Sequence, residues 1–309
     1  MQRVITDFGA DHAFGLVPKK LQEHYGIVLS ASTVRAITEY HAGQIYQAEE
    51  RITDQPKKAD GCKILIGEID GSMIPIVKVD EKADDKRKNK TLQWKEARLC
   101  LVHKVGSTTP IFGATFSGTV ADAGKQLYDC AVQAGFGKGT KLHAVGDGAT
   151  WIADQIDEQF GAQGSYLIDF YHICDYLAAA AKPCAPMNEK AWLDKQKDLL
   201  KQNDYQSVLD ELDAFLEADT IESQNAPVRA CHRYIKNRPH QLDYRAALVQ
   251  GLPIGSGEIE SAHRYIIQQR LKLPGAWWTP DNVDSMLALR IIRANNKWDE
   301  YWNQQRQAA

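Results

Sequence analysis

The spacing of hydrophobic residues changes along this chain, and the changes predict where its elements lie. In residues 1–55 apolar side chains recur at helical spacing, and a first helical segment, residues 16–25, ends at Gly26. Ser30 or Ser32 then caps a second predicted helix. Two short helices around a small turn fit either a DNA-reading helix-turn-helix or an ordinary helical hairpin, and the sequence leaves both open.

From residue 64 the pattern changes to short apolar strands separated by polar loops. The predicted elements are strands 64–70, 73–79, 94–105 and 110–116, helix 121–134, strand 142–147, a helix from 149, strand 166–169 and a helix that ends before Pro183. The first strands are close in sequence and therefore pair most simply as an antiparallel meander. This succession describes an RNase H-like α/β fold with a mixed sheet.

Residues 184–250 differ from both flanks, because they are charged and carry apolar residues at helical spacing throughout. They predict an all-α insertion that packs as a helical subdomain. Further helices are predicted at 258–273 and 281–294, where the main domain resumes. The predicted organisation is an N-terminal helical segment at 1–55, a first part of the core at 60–183, the insertion at 184–250 and a second part of the core at 251–309.

Composition excludes several classes of protein. The net charge is −3, so the chain as a whole is not a basic nucleic-acid binder, and only local clusters such as residues 82–90 offer concentrated positive charge. Six scattered cysteines without a CxxC pair argue against a disulfide framework and a zinc finger. Without an apolar run long enough to span a bilayer and without a secretory signal, we expect a cytoplasmic, nucleoid-associated protein.

Two aspartates lie at strand positions where an apolar residue would be expected. Asp70 and Asp147 each follow an apolar strand segment and precede a glycine, Gly71 and Gly148. A buried, unpaired carboxylate is costly, so such a residue usually has a cation, a partner or solvent. The glycines fit tight turns at strand ends or a close approach of backbone or substrate. A plain Asp-Gly turn explains one such pair, but two pairs favour a shared function.

A third carboxylate comes from the glycine-rich turn and helix that begin near residue 253. Glu258 and Glu260 compete for this role, and on a helix they point about 200° apart, so only one can face the other carboxylates. We prefer Glu260 and place Glu258 near the helix N-terminus, where a negative charge is favourable. Three carboxylates predict a site for two Mg²⁺ ions, replaceable by Mn²⁺, which activate a water or 3′-hydroxyl for phosphoryl transfer.

Six stretches of the chain resemble the DDE/D transposases of bacterial insertion sequences, in particular the ISKra group, which is related to Mutator-like elements. The matching stretches are EIDGSMIP, WKEARLCLVHK, HAVGDGATWI, LIDFYHICDYL, PIGSGEIESAHRYIIQQRLKLPGAWW and LALRIIRANNKWDEYW. They cover about residues 62–303 in the order and spacing of that family. The resemblance implies an RNase H-like catalytic domain with a helical insertion, and Asp70, Asp147 and Glu260 as the metal-binding catalytic triad.

The same resemblance implies further DNA contacts. The family carries a C/D-x-x-H motif after the second aspartate, which residues 169–172 match, so His172 is expected to contact phosphate or the leaving strand, with a core histidine as the alternative. Three basic residues on the glutamate helix are expected to contact phosphate, and two tryptophans after a Pro-Gly turn are expected to stack on a flipped base or to serve as hydrophobic cover. These are Arg264, Arg270, Lys272, Trp277 and Trp278.

The sequence thus predicts a transposase that cuts DNA at insertion-sequence ends and transfers the 3′-hydroxyl to a target, as a homodimer assembled on DNA. Two alternatives remain: an RNase H-like nuclease without strand transfer, and a truncated, non-catalytic DNA-binding remnant. The second is considered because members of the family are usually longer at the N-terminus, which implies impaired recognition of the ends.

Overall fold

The computed structural model describes residues 1–49, 60–79 and 89–307 and divides the chain into two compact units. Unit 1 comprises residues 1–140 and 257–309, and unit 2 comprises residues 141–256. The predicted basic cluster at 82–90 lies almost entirely outside the described residues. The units group the chain differently from the predicted segments, because the strands after residue 140 belong to the same unit as the helical insertion.

The fold is mixed α/β. Its strands are β1 (Ile64–Val79), β2 (Lys90–Lys104), β3 (Ile111–Thr115), β4 (Lys141–Gly146) and β5 (Gly164–Ile168). Its α-helices are α1 (Gln2–Asp11), α2 (Val17–Tyr25), α3 (Ala31–Glu49), α4 (Val120–Ala134), α5 (Thr150–Phe160), α6 (Phe170–Cys184), α7 (Glu189–Lys201), α8 (Tyr205–Asp213), α9 (Pro227–Lys236), α10 (Tyr244–Val249), α11 (Gly257–Ala262), α12 (Gln269–Leu271), α13 (Pro280–Ala294) and α14 (Trp298–Gln307). A π-helical turn, His263–Gln268, joins α11 to α12.

The strands of unit 1 form the predicted antiparallel meander, in which β2 pairs with β1 on one side and with β3 on the other. One detail of the prediction was wrong. Residues 64–70 and 73–79 were predicted as two strands, but they form the single strand β1, whose pairing with β2 runs without interruption through Gly71 and Ser72. Asp70 therefore lies within a long strand and not at its end.

The helices of unit 1 bury two apolar clusters. The three N-terminal helices pack around Ile5, Val17, Leu21 and Val34. A larger core joins strand residues such as Leu99 to side chains from α11 and α13. Two predicted helix boundaries at the N-terminus are confirmed, since Gly26 ends α2 in a left-handed conformation and the Ser30 hydroxyl accepts the Thr33 N–H at 3.1 Å. The second helix was predicted to end at His41, but α3 continues to Glu49. DNA recognition by α2 and α3 remains a prediction.

Unit 2 pairs β4 with β5 in parallel, with α5 as the connection between them. The helices α7 to α10 confirm the all-α character of the segment after residue 184. Helix α6 was predicted to end before Pro183, but it includes that residue and ends at Cys184.

The structure bears on two expectations from composition, those about the cysteines and about membrane-spanning helices. The six cysteines, all within the described ranges, are free. No helix in the described part of the chain is long and apolar enough to cross a membrane.

Candidate functional site

Asp70 is the candidate catalytic carboxylate of β1, where it lies opposite Leu99 of β2. Its side chain is 35% exposed, and its Oδ1 accepts the N–H of Gly71 at 2.7 Å. Its Oδ2 lies 3.2 Å from Nε2 of the buried His263, in the π-helical turn. Neither nitrogen of His263 has a hydrogen bond of good geometry to any described residue, so the two groups are at ion-pair distance only.

A second carboxylate on β1 joins this strand to the glutamate helix. Glu68 is 1% exposed, and its Oε2 accepts the N–H of Ile259 at 2.7 Å. Residues two apart on a strand share a face, so Glu68 lies on the same side of β1 as Asp70. Ile259 is in the first turn of α11, where the N–H groups have no acceptor within the helix. Glu68 supplies the acceptor for the N–H of Ile259. The strand and the helix are thus joined by Glu68 and by the contact between Asp70 and His263.

The two glutamates of α11 have different surroundings. Glu258 has a 53% exposed side chain, and its Oε2 lies 3.2 Å from Nε2 of the buried His103. Glu260 is exposed to solvent on the same helix. Within the described residues, no group of three or more His, Cys, Asp or Glu side chains is arranged to hold a metal ion. Glu260 as a metal ligand, and its preference over Glu258, therefore remain predictions.

Gly71, which follows Asp70, does not form a turn. It instead leaves room for a neighbouring side chain. A Cβ at this position would lie 2.3 Å from Oε1 of Glu96, whose chain crosses the glycine from β2. Glu96 in turn pairs with Arg98 at 2.8 Å. The predicted close approach at Gly71 is thus made by a neighbouring glutamate of this chain, and the predicted turn is absent because β1 continues.

Asp147, in unit 2, follows β4 directly, as predicted, and begins a turn into α5. Its Oδ1 accepts the N–H of Ala149 at 2.9 Å, which is an Asx-type turn. Gly148 adopts φ of 84°, a conformation that a side chain disfavours. A Cβ on Gly148 would also lie 2.2 Å from the hydroxyl oxygen of Tyr234. The turn that the sequence suggested is present here, and the close approach is made by the side chain of Tyr234 rather than by backbone or substrate.

Helix α9 and the residues after it hold this turn from the outside. The Tyr234 hydroxyl donates to the carbonyl oxygen of Asp147 at 2.6 Å, and Nε of Arg238 donates to the carbonyl oxygen of Gly148 at 3.1 Å. The guanidinium of Arg238 also lies 4.3 Å from the centre of the Tyr234 ring. On the inner side, the N–H of Gly148 donates to the hydroxyl of Tyr166 at 2.9 Å. Burial raises the pKa of both tyrosines, which therefore keep their protons.

In the predicted D-x-x-H motif, the aspartate has a structural role and the histidine side chain is partly accessible. Asp169 is buried and caps α6, with Oδ1 accepting the N–H groups of Tyr171 at 2.6 Å and His172 at 3.1 Å. Its Oδ2 accepts the N–H and the hydroxyl of Ser256 at 2.7 and 2.5 Å. His172 is half-buried, and its ring lies 5.5 Å from that of Tyr176. The aspartate thus orders the backbone, and the histidine side chain stays partly accessible.

The predicted DNA contacts of unit 1 divide into exposed and buried residues. Arg264 is exposed, Lys272 is half-buried and Trp277 is 55% exposed. Arg270 is 2% exposed, and its guanidinium donates to the Gly9 carbonyl oxygen at 3.0 Å. Trp278 is 5% exposed, and its carbonyl oxygen accepts an N–H from β1.

Arg270 and Trp278 therefore build the core of unit 1. The guanidinium of Arg270 lies between the rings of Phe14 and Trp278, at 4.6 and 4.7 Å, and burial lowers its pKa to about 10. A guanidinium enclosed in this way is not accessible to a DNA phosphate. The alternative that the sequence left open for Trp278, hydrophobic cover, describes its place, and neither residue is carried into the proposal below.

Sequence reasoning missed several of the polar groups around the two aspartates. Glu68 and His263 had a local signal, because they lie two residues before Asp70 and three residues after Glu260. Tyr234 and Arg238 had none, since they contact the Asp147 turn from 87 and 90 residues away in sequence. Only the folded chain brings them to that turn.

A model of one protein family matches residues 136–306, more than half of the chain. Its description is "Uncharacterised protein family (UPF0236)". The chain belongs to this family. No curated protein matches the chain. The family description names no activity, so the resemblance to DDE/D transposases remains a prediction from the motifs.

Proposed function

We propose that this chain is a transposase of the DDE/D type, which cleaves DNA at the ends of an insertion sequence and transfers the strand to a target. One observation carries the proposal. The helix of Glu260 packs against the strand of Asp70, joined by the ion-pair contact of His263 with Asp70 and by the hydrogen bond from Ile259 to Glu68. A partly exposed carboxylate on a strand beside a glutamate-bearing helix is the arrangement that the proposed RNase H-like chemistry requires.

The donor chemistry of these residues fits divalent magnesium. Carboxylate oxygens are the ligands that Mg²⁺ prefers, and the side chains of Asp70 and Asp147 are neither fully exposed nor fully buried. The proposal assigns Asp70, Asp147 and Glu260 to hold two ions. When bound, such ions lower the pKa of an attacking water or hydroxyl and stabilise the leaving oxygen.

The other residues of the proposal position DNA. Arg264 and Lys272 would contact backbone phosphates, Trp277 would stack on an unpaired base, and His172 would contact phosphate in unit 2. A homodimer assembled on paired ends would bring two active sites to one DNA complex. These assignments use side chains that are wholly or partly accessible in the structure.

The experiment is nicking of a labelled duplex that carries the ends of the encoding element, with Mg²⁺ or Mn²⁺. We expect Asp70→Asn and Glu260→Gln each to reduce the rate of nicking by about a hundredfold or more, while Glu258→Gln retains it, because Glu258 is not a proposed ligand. Asp175→Asn, an exposed aspartate of α6, is the control for removing a charge.

Two results would replace the proposal. DNA binding without nicking, in the native chain and all variants, favours the non-catalytic remnant. Nicking that is never followed by joining of the 3′-hydroxyl to a second duplex favours a nuclease. Loss of nicking in Glu258→Gln and not in Glu260→Gln would exchange the two glutamates and leave the reaction class unchanged.

A further inference from the structure

Unit 2 contains a cavity of about 380 Å³ beside the Asp147 turn. Helix α9 and the residues after it form much of its wall, with Arg233, Asn237 and Arg238 among the lining residues. His172 of α6 lines it as well. Cavities of roughly 300 to 1,000 Å³ are the size that takes small organic ligands, so this one is large enough for a nucleotide.

The polar groups of this cavity favour an anionic ligand. Arg233 and Arg238 carry two permanent positive charges, against one carboxylate from Asp147. Arg238 is already committed to the turn through its bond to the Gly148 carbonyl oxygen, whereas Arg233 and Asn237 are exposed on the wall. A guanidinium and an amide are common donors to phosphate oxygens in protein–DNA complexes.

The aromatic groups of the cavity provide a flat surface beside these donors. The rings of Tyr176 and Tyr234 are stacked, with their centres 4.4 Å apart and an angle of 18° between their planes. Tyr234 is fixed by its bond to the Asp147 carbonyl oxygen, and it fixes Tyr176 in turn. Tyr176 is only half-buried, so part of its ring is available to a ligand. Stacking on aromatic rings is how proteins bind unpaired bases without regard to sequence.

We propose that this cavity binds one unpaired nucleotide of a DNA strand, with its phosphate on Arg233 and Asn237 and its base on Tyr176. The choice of DNA as the ligand rests on the proposed function, but the binding itself requires neither metal nor cleavage. Helix α9 would thereby serve two purposes, since together with the following Arg238 it holds the Asp147 turn through Tyr234, and it binds the strand next to that turn through Arg233.

The test is binding of a fluorescein-labelled 12-nucleotide oligo-dT to the full chain in EDTA, by fluorescence anisotropy, at several salt concentrations. We expect Arg233→Ala to weaken binding about tenfold and to reduce the slope of log K against log salt by about 0.7, the contribution of one phosphate contact on single-stranded DNA. Arg233→Lys should retain the slope. Lys236→Ala, which removes a charge from the same helix at an exposed position outside the cavity, should leave both quantities unchanged.

Tyr176 is tested separately, because stacking carries no charge. We expect Tyr176→Ala to weaken binding about tenfold without a change of slope, and Tyr176→Phe to bind like the native chain. Equal effects of Arg233→Ala and Lys236→Ala, native affinity in Tyr176→Ala, or no oligonucleotide binding at low salt would each overturn the inference. Native affinity together with absent nicking would contradict only the proposed enzyme function. A thermal melt of each variant excludes loss of fold as the cause.

Discussion

The two Asp-Gly pairs of this chain look alike in sequence and differ in what holds them. Asp70 and Gly71 are part of a paired strand, and the glycine leaves room for the Glu96 side chain that lies over it. Asp147 and Gly148 form a turn, where the glycine needs a positive φ and leaves room for Tyr234. The same dipeptide thus fulfils a packing requirement in unit 1 and a backbone requirement in unit 2.

This difference has a consequence for the two aspartates. The position of Asp70 is fixed by the ladder between β1 and β2, which is regular and local. The position of Asp147 depends on α9 and the residues just after it, because Tyr234 and Arg238 donate hydrogen bonds to the carbonyl oxygens of its turn. Changes in α9 should therefore act on Asp147 and leave Asp70 as it is.

The largest expected effect, a loss of nicking, should be the same at both aspartates, because both are proposed to serve one reaction. Asp70→Asn and Asp147→Asn should each reduce the rate of nicking by about a hundredfold or more. Residues that act as a unit are not additive, so the double variant should be no slower than the slower single one. Single-turnover nicking rates measure this. A double variant whose loss is the product of the two single losses would mean that the aspartates act separately.

Replacing the two glycines by alanine should lower the free energy of unfolding by different amounts. Gly148→Ala should lower the free energy of unfolding by about 3 kcal/mol, from a strained φ and a collision with Tyr234. Gly71→Ala should cost about 1 kcal/mol, because the Glu96 carboxylate can move. Gly251→Ala is the matched control, since Gly251 has φ of 66° with open space around it, and it should cost about 1 kcal/mol.

Urea unfolding followed by tryptophan fluorescence measures these differences. If Gly148→Ala costs no more than Gly251→Ala, the contact with Tyr234 contributes nothing and the turn is held by its backbone conformation alone. If Gly71→Ala costs as much as Gly148→Ala, the contrast between the two pairs is wrong.

Tyr234 provides a smaller and more specific effect. Tyr234→Phe removes the hydrogen bond to the Asp147 carbonyl oxygen and should cost about 1 to 2 kcal/mol. It also removes the oxygen that a Cβ at position 148 would meet, so it should partly relieve Gly148→Ala. In a double-mutant cycle the two changes together should cost less than their sum. If the two costs simply add, the strain of Gly148→Ala does not come from contact with the Tyr234 hydroxyl.

The sequence predicted most elements of this fold because their signals are local. Alternating apolar residues marked β2 and β3, and Gly26 and Ser30 marked the helix ends they occupy. The break predicted in β1 failed for an instructive reason. Gly71 resembles a turn residue, but a 16-residue strand paired along its length to β2 overrides that local preference.

The candidate site was less predictable, because its support comes from long-range contacts. Asp70, Asp147 and the glutamate helix were recognisable as carboxylates in unusual positions, whereas Tyr234, Arg238 and His103 could not be linked to them without the fold. Arg270 shows the opposite failure. Its charge suggested a DNA contact, yet the side chain is enclosed by two aromatic rings of the core. A residue's type predicts its possible chemistry, and only burial decides whether that chemistry is accessible.

The smallest expected effect tests whether α9 transmits changes to the Asp147 turn. Glu217 caps this helix, with its two carboxylate oxygens accepting the N–H groups of Val228 and Arg229 at 2.9 and 2.8 Å. Burial alone would raise the pKa of Glu217, but these hydrogen bonds lower it below its ordinary value. A lowered pKa means that the charged cap stabilises the folded chain above the unfolded pKa of about 4.3 and is lost as the pH falls through the folded value.

Glu217→Gln should therefore lower the free energy of unfolding by about 1 kcal/mol at pH 6, as expected for a helix cap partly screened by solvent, and this loss should shrink as the pH falls through the folded pKa of Glu217. Glu222→Gln, which removes the charge of a nearby exposed glutamate, is the matched control. Amide exchange of α9 and of the Asp147 turn gives the sharper result. Faster exchange in both at pH 6, with β1 unchanged, is expected if α9 holds the turn. Faster exchange confined to the first turn of α9 would show that the turn keeps its conformation without this support, and the contrast between the two aspartates would then rest on Gly148 alone.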